Sequence, residues 1–147
     1  MKKQEVIISN PLAASKIANK IVVIRDVQVL LDRDLAEIYG VETRVFNQAV
    51  KRNIDRFPDA FRFQLDEDEA QELETSSRSQ FVTMNKSGNL RGSNIKYRPY
   101  AFTEQGVAML SAVLRSERAI KVSIEIMNAF VQMLLKPRLI QNLLNMI

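Results

Sequence analysis

Between Asp34 and Asn53 the chain reads DLAEIYGVETRVFNQAVKRN, and two short amphipathic patterns meet across Gly40. In the first, Leu35, Ala36, Ile38 and Tyr39 form the apolar stripe of a helix. Asp32 sits where an N-cap belongs, because its carboxylate can accept first-turn N–H groups, and Gly40 can take the left-handed conformation that ends a helix. In the second, Thr43 is placed to cap. At 100° per residue, Val45, Phe46, Ala49 and Val50 fall on one arc, and Arg44, Asn47, Gln48, Lys51 and Arg52 fall on the other. Asn53 lands on the apolar side, where a capping role at the helix end accounts for it. Phe57-Pro58 closes the segment, since proline disfavours helical backbone in the residue before it.

The pattern elsewhere predicts further elements. Residues 1–12 read as a loose arm, and Ala13 to Asn19 as a helical turn or two. Ile21–Ile24 and Val27–Leu30 are short apolar runs around Arg25-Asp26, which suggests a β-hairpin. Phe61-Arg62-Phe63-Gln64-Leu65 alternates strictly and reads as a strand. Asp66–Glu69 opens a surface helix with acids at the favourable end of the helix dipole. The runs SQFVTM and IKYRPYAF look strand-like and flank the loop NKSGNLRGSN, which together make a hairpin with a long basic loop, a wing. Thr103 caps a helix through Leu114. After a break at Arg115-Ser116, a longer helix spans Glu117 to Leu135, with Ile120, Ile124, Met127, Val131 and Leu134 at helical spacing. Pro137 kinks or breaks it, and RLIQNLLNMI resumes the pattern. The expected fold class is α+β: a winged-helix-like domain with a helix-turn-helix, small β-hairpins and C-terminal helices. It divides into an arm (1–17), a domain (18–135) and a helical extension (136–147). The chain stops within a helical pattern, as the N-terminal part of a longer protein would.

Composition narrows the chemistry. A length of 147 residues suits one compact domain with an appended arm, and a hydrophobic fraction of 46% supplies a core. There is no cysteine and no histidine. Thiolate and imidazole metal sites, and Ser-His-Asp or Cys-His catalysis, are excluded within this chain. A carboxylate metal site stays open, but neighbouring acids such as Asp66 to Glu69 diverge in direction on a helix, and capping is preferred for them. Glu104 is likewise read as a first-turn acid after an N-cap. No catalytic residue, cofactor or metal is expected, and the chain is not read as an enzyme. The net charge of +4 fits nucleic acid without demanding it. Neither a signal-peptide core nor an apolar run of about 20 residues is present, so a soluble cytoplasmic protein with no membrane partner is expected.

The candidate site is the helix-turn-helix layout. Ala36 is small where the second helix must pack closely, and Val41 and Phe46 are apolar where the two helices share a core. The second helix offers Arg for guanine, and Asn and Gln for adenine. An ordinary αα-corner has the same outline. From Thr75 to Thr103 the chain carries Arg78, Lys86, Arg91, Lys96 and Arg98 and no acid. A wing uses such groups on phosphates or in the minor groove, whereas a solvated loop uses them for nothing. The resulting DNA-contact candidates are Thr43, Arg44, Asn47, Gln48, Lys51, Arg52, Arg78, Lys86, Arg91, Lys96 and Arg98. Tyr97, Tyr100 and Phe102 can stack on single-stranded bases, but a strand with one buried face is preferred. The C-terminal stripe can pack on the domain core or on the same stripe in a second copy, giving a homodimer suited to a palindromic site.

The blocks IVVIRDVQVLLDRDLAEIYGVETRVFNQAVKRNIDRFPDAFRFQL, RSQFVT and YAFTEQGVAMLSAVLRSERAI, over about residues 18 to 131, resemble the phage ORF-six N-terminal domain, a relative of the KilA-N DNA-binding domain. The resemblance implies a DNA-binding domain of phages, prophages and their bacterial hosts, often joined to a separate C-terminal domain and in some cases described as an antirepressor. It carries over no catalytic residue. The expectation is a prophage transcriptional regulator that binds double-stranded DNA in the host cytoplasm. The alternative is an antirepressor that captures a repressor protein through its C-terminal helices.

Overall fold

The computed structural model describes residues 16–78 and 97–146. Two apolar clusters lie on opposite faces of one small antiparallel sheet. Its strands are β1 (Val22–Ile24), β2 (Val27–Leu31), β3 (Arg62–Gln64) and β4 (Tyr100–Phe102), in the order β1-β2-β4-β3. Its helices are α1 (Asp32–Tyr39), α2 (Thr43–Arg52), α3 (Glu67–Arg78), α4 (Glu104–Val113) and α5 (Glu117–Met146). The fold is α+β, as expected. The segment 79–96, on which a wing depends, lies outside the described residues.

The predicted hairpin forms with Arg25 and Asp26 as a two-residue turn, both at positive φ (57° and 65°), which matches the right-handed twist of the strands. Arg25 is not a favoured residue for that backbone. Its guanidinium is held by Glu69 at 2.8 and 2.9 Å and lies 4.3 Å over the Phe63 ring. The period of two then sorts the core. Leu30 and Phe102, paired across β2 and β4, face one cluster with α1, α2, α4 and α5. Val29, Leu31 and Ala101 face the other, beneath Leu65, Ala70 and Leu73 of the α3 side.

Local signals set most helix ends. Gly40 sits at φ 78° after α1, and the N–H groups of Gly40 and Val41 return to the carbonyls of Glu37 and Ala36. Asp66 and Glu69 cap α3 reciprocally, each backbone N–H donating to the other's carboxylate at 2.8 Å. Thr103 Oγ1 accepts from the Gly106 N–H at 3.3 Å and opens α4. A Cβ on Gly106 would come closer than 3.0 Å to the Phe61 carbonyl oxygen, so only glycine lets α4 lie against that turn.

The C-terminal part departs from expectation at Pro137. Pro137 neither ends nor interrupts the helix: α5 runs unbroken to Met146. One proline removes a single i→i−4 donor, and the turns on either side hold the rest. Of the two alternatives for the C-terminal stripe, packing on the domain core is not what forms. Ala119, Ser123, Ile126, Ala129 and Phe130 are buried, while Ile120, Ile124, Val131 and Leu134 are exposed and Met127 is half-buried. Small residues at 119, 123 and 129 let α5 approach α1, where Tyr39 bonds Ser123 at 2.5 Å. Among the described residues, no helix is long and apolar enough to cross a membrane.

Candidate nucleic-acid interface

Two apolar side chains of helix α2, Phe46 and Val50, are fully buried in the core, and the Phe46 ring meets Tyr39 (6.3 Å) and the edge of Phe102 (5.5 Å). Asn53 closes the helix by donating from Nδ2 to the Ala49 carbonyl at 2.9 Å. Val45 does not join the packing arc: it is 42% exposed. Phe46 and Val50, four apart, take the narrow line of contact, and Val45 lies a full 100° off it. Thr43 is the first helical residue rather than the cap. Glu42 flanks it, and no side-chain bond caps the end. Asp32 likewise begins α1 instead of capping it, with Leu31 at the flanking position.

The outward face of α2 presents Arg44, Val45, Gln48, Lys51 and Arg52, all exposed, with Thr43 half-buried at its start. Arg44 has an exposed ion partner, Glu42 at 3.4 Å, and such pairs hold side chains weakly. For Gln48, Lys51 and Arg52 no partner is seen among the described residues. Two cations in the last turn also suit the negative end of the helix dipole.

Asn47 serves differently from the expectation. Its Nδ2 donates to Asp32 Oδ2 at 2.9 Å, and its Oδ1 is buried with no partner among the described residues. Asp32 is a fully buried carboxylate. Its Oδ1 accepts the Arg33 N–H at 2.7 Å, and its Oδ2 also accepts the Tyr97 hydroxyl. Burial first, and then the Asp32 carboxylate, push the Tyr97 phenol well above its ordinary range. This node was not legible in the sequence beyond the helix-start position of Asp32. It fastens α2 and the chain re-entering at Tyr97 to one carboxylate.

The basic residues divide. Lys86, Arg91 and Lys96 lie outside the described residues, and Arg78 ends α3. Arg98 is exposed and donates to the Leu65 carbonyl at 3.4 Å. The preferred strand reading for the aromatics holds for Tyr100 and Phe102, which lie in β4, while Tyr97 precedes it. The half-buried Arg62, absent from the candidates, stacks 3.7 Å over the Tyr100 ring, and burial lowers its pKa. The acidic turn of α3 lies across the sheet from α2, since Leu65, Ala70 and Leu73 pack on the opposite face from Phe46 and Val50. Among the described residues, no acidic cluster is arranged to hold a metal ion.

No curated protein and no solved structure matches this chain. The model of one family, the ORF6N domain, matches residues 19–113. That span holds the hairpin, α1 and α2 with their Gly40 turn, the Asp32 node and α4, and the chain belongs to the ORF6N domain family.

Proposed function

We propose that this protein binds double-stranded DNA as a non-catalytic, prophage-type transcriptional regulator, acting in the cytoplasm of a bacterial host. One observation carries the reading. Helix α2 is anchored by Phe46 and Val50 and leaves Arg44, Gln48, Lys51 and Arg52 exposed on its other side. A short, rigidly held helix with that outward chemistry suits the major groove: Arg for guanine, Gln for adenine, Lys for phosphate. Val45 adds an exposed aliphatic group of the kind that contacts the thymine methyl. The placement of Asp66 to Glu69 across the sheet keeps the strongest acidic group from the α2 face. Tyr97, bonded to Asp32 beside Asn47, brings the end of the basic segment close to the same helix.

The test is fluorescence anisotropy on a random-sequence duplex and on a duplex enriched from a randomised pool, across a salt series. Lys51→Ala weakens binding to both and lowers the salt slope by about one. Gln48→Ala costs about 1–3 kcal/mol on the enriched duplex and little on the random one. Absence of salt-dependent binding by the wild type would overturn the proposal. A second reading, an antirepressor that captures a repressor, draws on the exposed apolar residues of α5. It predicts a nuclease-resistant complex with a purified repressor and no affinity for DNA.

A further inference from the structure

Helix α5 carries two apolar stripes about 100° apart. The inner one packs on α1 and α4. The outer one leaves Ile120 47%, Ile124 49%, Val131 44% and Leu134 50% exposed. With half-buried Met127 between them, the spacing is 4, 3, 4 and 3 residues. Single exposed apolar residues are ordinary, but a row of them along one helix marks a surface that is covered in use. We infer that this stripe is a dimerisation seam, covered by the same stripe of a second copy of the chain.

Spacing and charge select that occupant. Alternating steps of four and three are the repeat by which two helices interlock, knobs into holes. A face built on that repeat complements itself, as a two-fold interface requires. From Ile124 to Leu135 the chain has one ionisable side chain, the half-buried Glu125, so two copies of this face meet without a row of like charges. The row runs from Ile120 to Leu134, about 22 Å along the helix.

Sedimentation equilibrium of the full chain tests the seam, over roughly 1 to 100 µM. A concentration-dependent dimer is expected. Ile124→Glu together with Val131→Glu should raise its dissociation constant at least about 100-fold, because a charge is then buried in the seam. The far-UV spectrum should not change, since both side chains are exposed in the single chain. The chain has no cysteine, so Ile124→Cys places one thiol on the seam. A short bis-maleimide should link two copies through it faster than through Val23→Cys, which is 63% exposed on β1. A monomer throughout the concentration range overturns the inference and assigns the stripe to another segment or another protein. A dimer that withstands the double substitution overturns it as well. Neither result bears on DNA binding, which a monomer can also perform.

Discussion

The side-chain amide of Asn47 donates to the buried carboxylate of Asp32 at 2.9 Å, so the Asn of α2 faces the protein while Gln48, the next residue, faces solvent. Two neighbours of similar chemistry thus acquire opposite tasks. Asn47→Ala strips one donor from a buried carboxylate and should cost about 1–3 kcal/mol of stability. Gln48→Ala should stay within about 0.5 kcal/mol of wild type, as surface substitutions do. Thermal unfolding of the two variants checks the contrast, and equal losses would remove the anchoring role of Asn47.

Two glycines should differ in how they tolerate a methyl group. At Gly106 the Cβ would meet backbone, the Phe61 carbonyl oxygen, which cannot move without displacing the start of β3. Gly106→Ala is expected to cost about 3 kcal/mol. At Gly40 the added Cβ would meet the end of the Arg118 side chain at 2.8 Å, which can swing away, and the remaining cost is the left-handed backbone. Gly40→Ala should therefore cost about 1–2 kcal/mol. Urea midpoints at constant m-value read both.

The Tyr39–Ser123 bond joins α1 to α5 inside the core. Burial pushes the Tyr39 phenol up to about 12. The unfolded chain therefore releases this proton first, and stability should fall as pH rises from about 10 towards 12. Tyr39→Phe should remove part of that alkaline slope and cost about 1 kcal/mol at neutral pH, where the lost hydrogen bond alone is felt. Unfolding curves at neutral and alkaline pH separate the two effects. An unchanged alkaline slope would count against the assignment.

Two carboxylates should respond to acid in opposite senses. The Arg25 guanidinium, bonded to Glu69, holds that carboxyl below its ordinary range. The pair's stabilisation is present above the ordinary glutamate pKa and is lost as pH falls through the depressed one. The pair is partly exposed, so Arg25→Gln should cost only about 0.5 kcal/mol at neutral pH, and nothing in strong acid. Asp34 is the converse, its carboxyl raised by burial. Its ionised form opposes folding at neutral pH, so Asp34→Asn should stabilise there and be neutral in acid. Thermal midpoints over an acid series test both signs.

Much of the fold was legible because local chemistry specifies it. The Arg25-Asp26 turn, the Gly40 helix stop, the acidic start of α3 and the Thr103 cap each rest on a few consecutive residues. The outward set Arg44, Gln48, Lys51 and Arg52 followed from helix phase alone. Asn47 and Val45 did not, because both sit at the border of the two arcs. A border position is decided by what stands opposite it. Asp32 and Tyr97, 15 and 50 residues away in the chain, claim Asn47, and Val45 belongs to neither core cluster and stays exposed.

By itself, then, the sequence determined the hairpin turn, the Gly40 stop, the Asp66–Glu69 and Thr103 caps and most of the polarity of α2, since these depend on contacts within a turn or two. Only the tertiary structure decided which face of α5 is inside. Residues 119, 123, 126 and 130 and residues 120, 124, 127 and 131 both satisfy a helical repeat. The second set holds the bulkier apolar side chains, and hydrophobicity favours it. Close packing against Tyr39 favours the first, because Ala119 and Ser123 are small enough to let the helices approach and Ser123 can bond the phenol. Fit to a neighbour is a property of two surfaces, and a single segment's pattern contains only one of them.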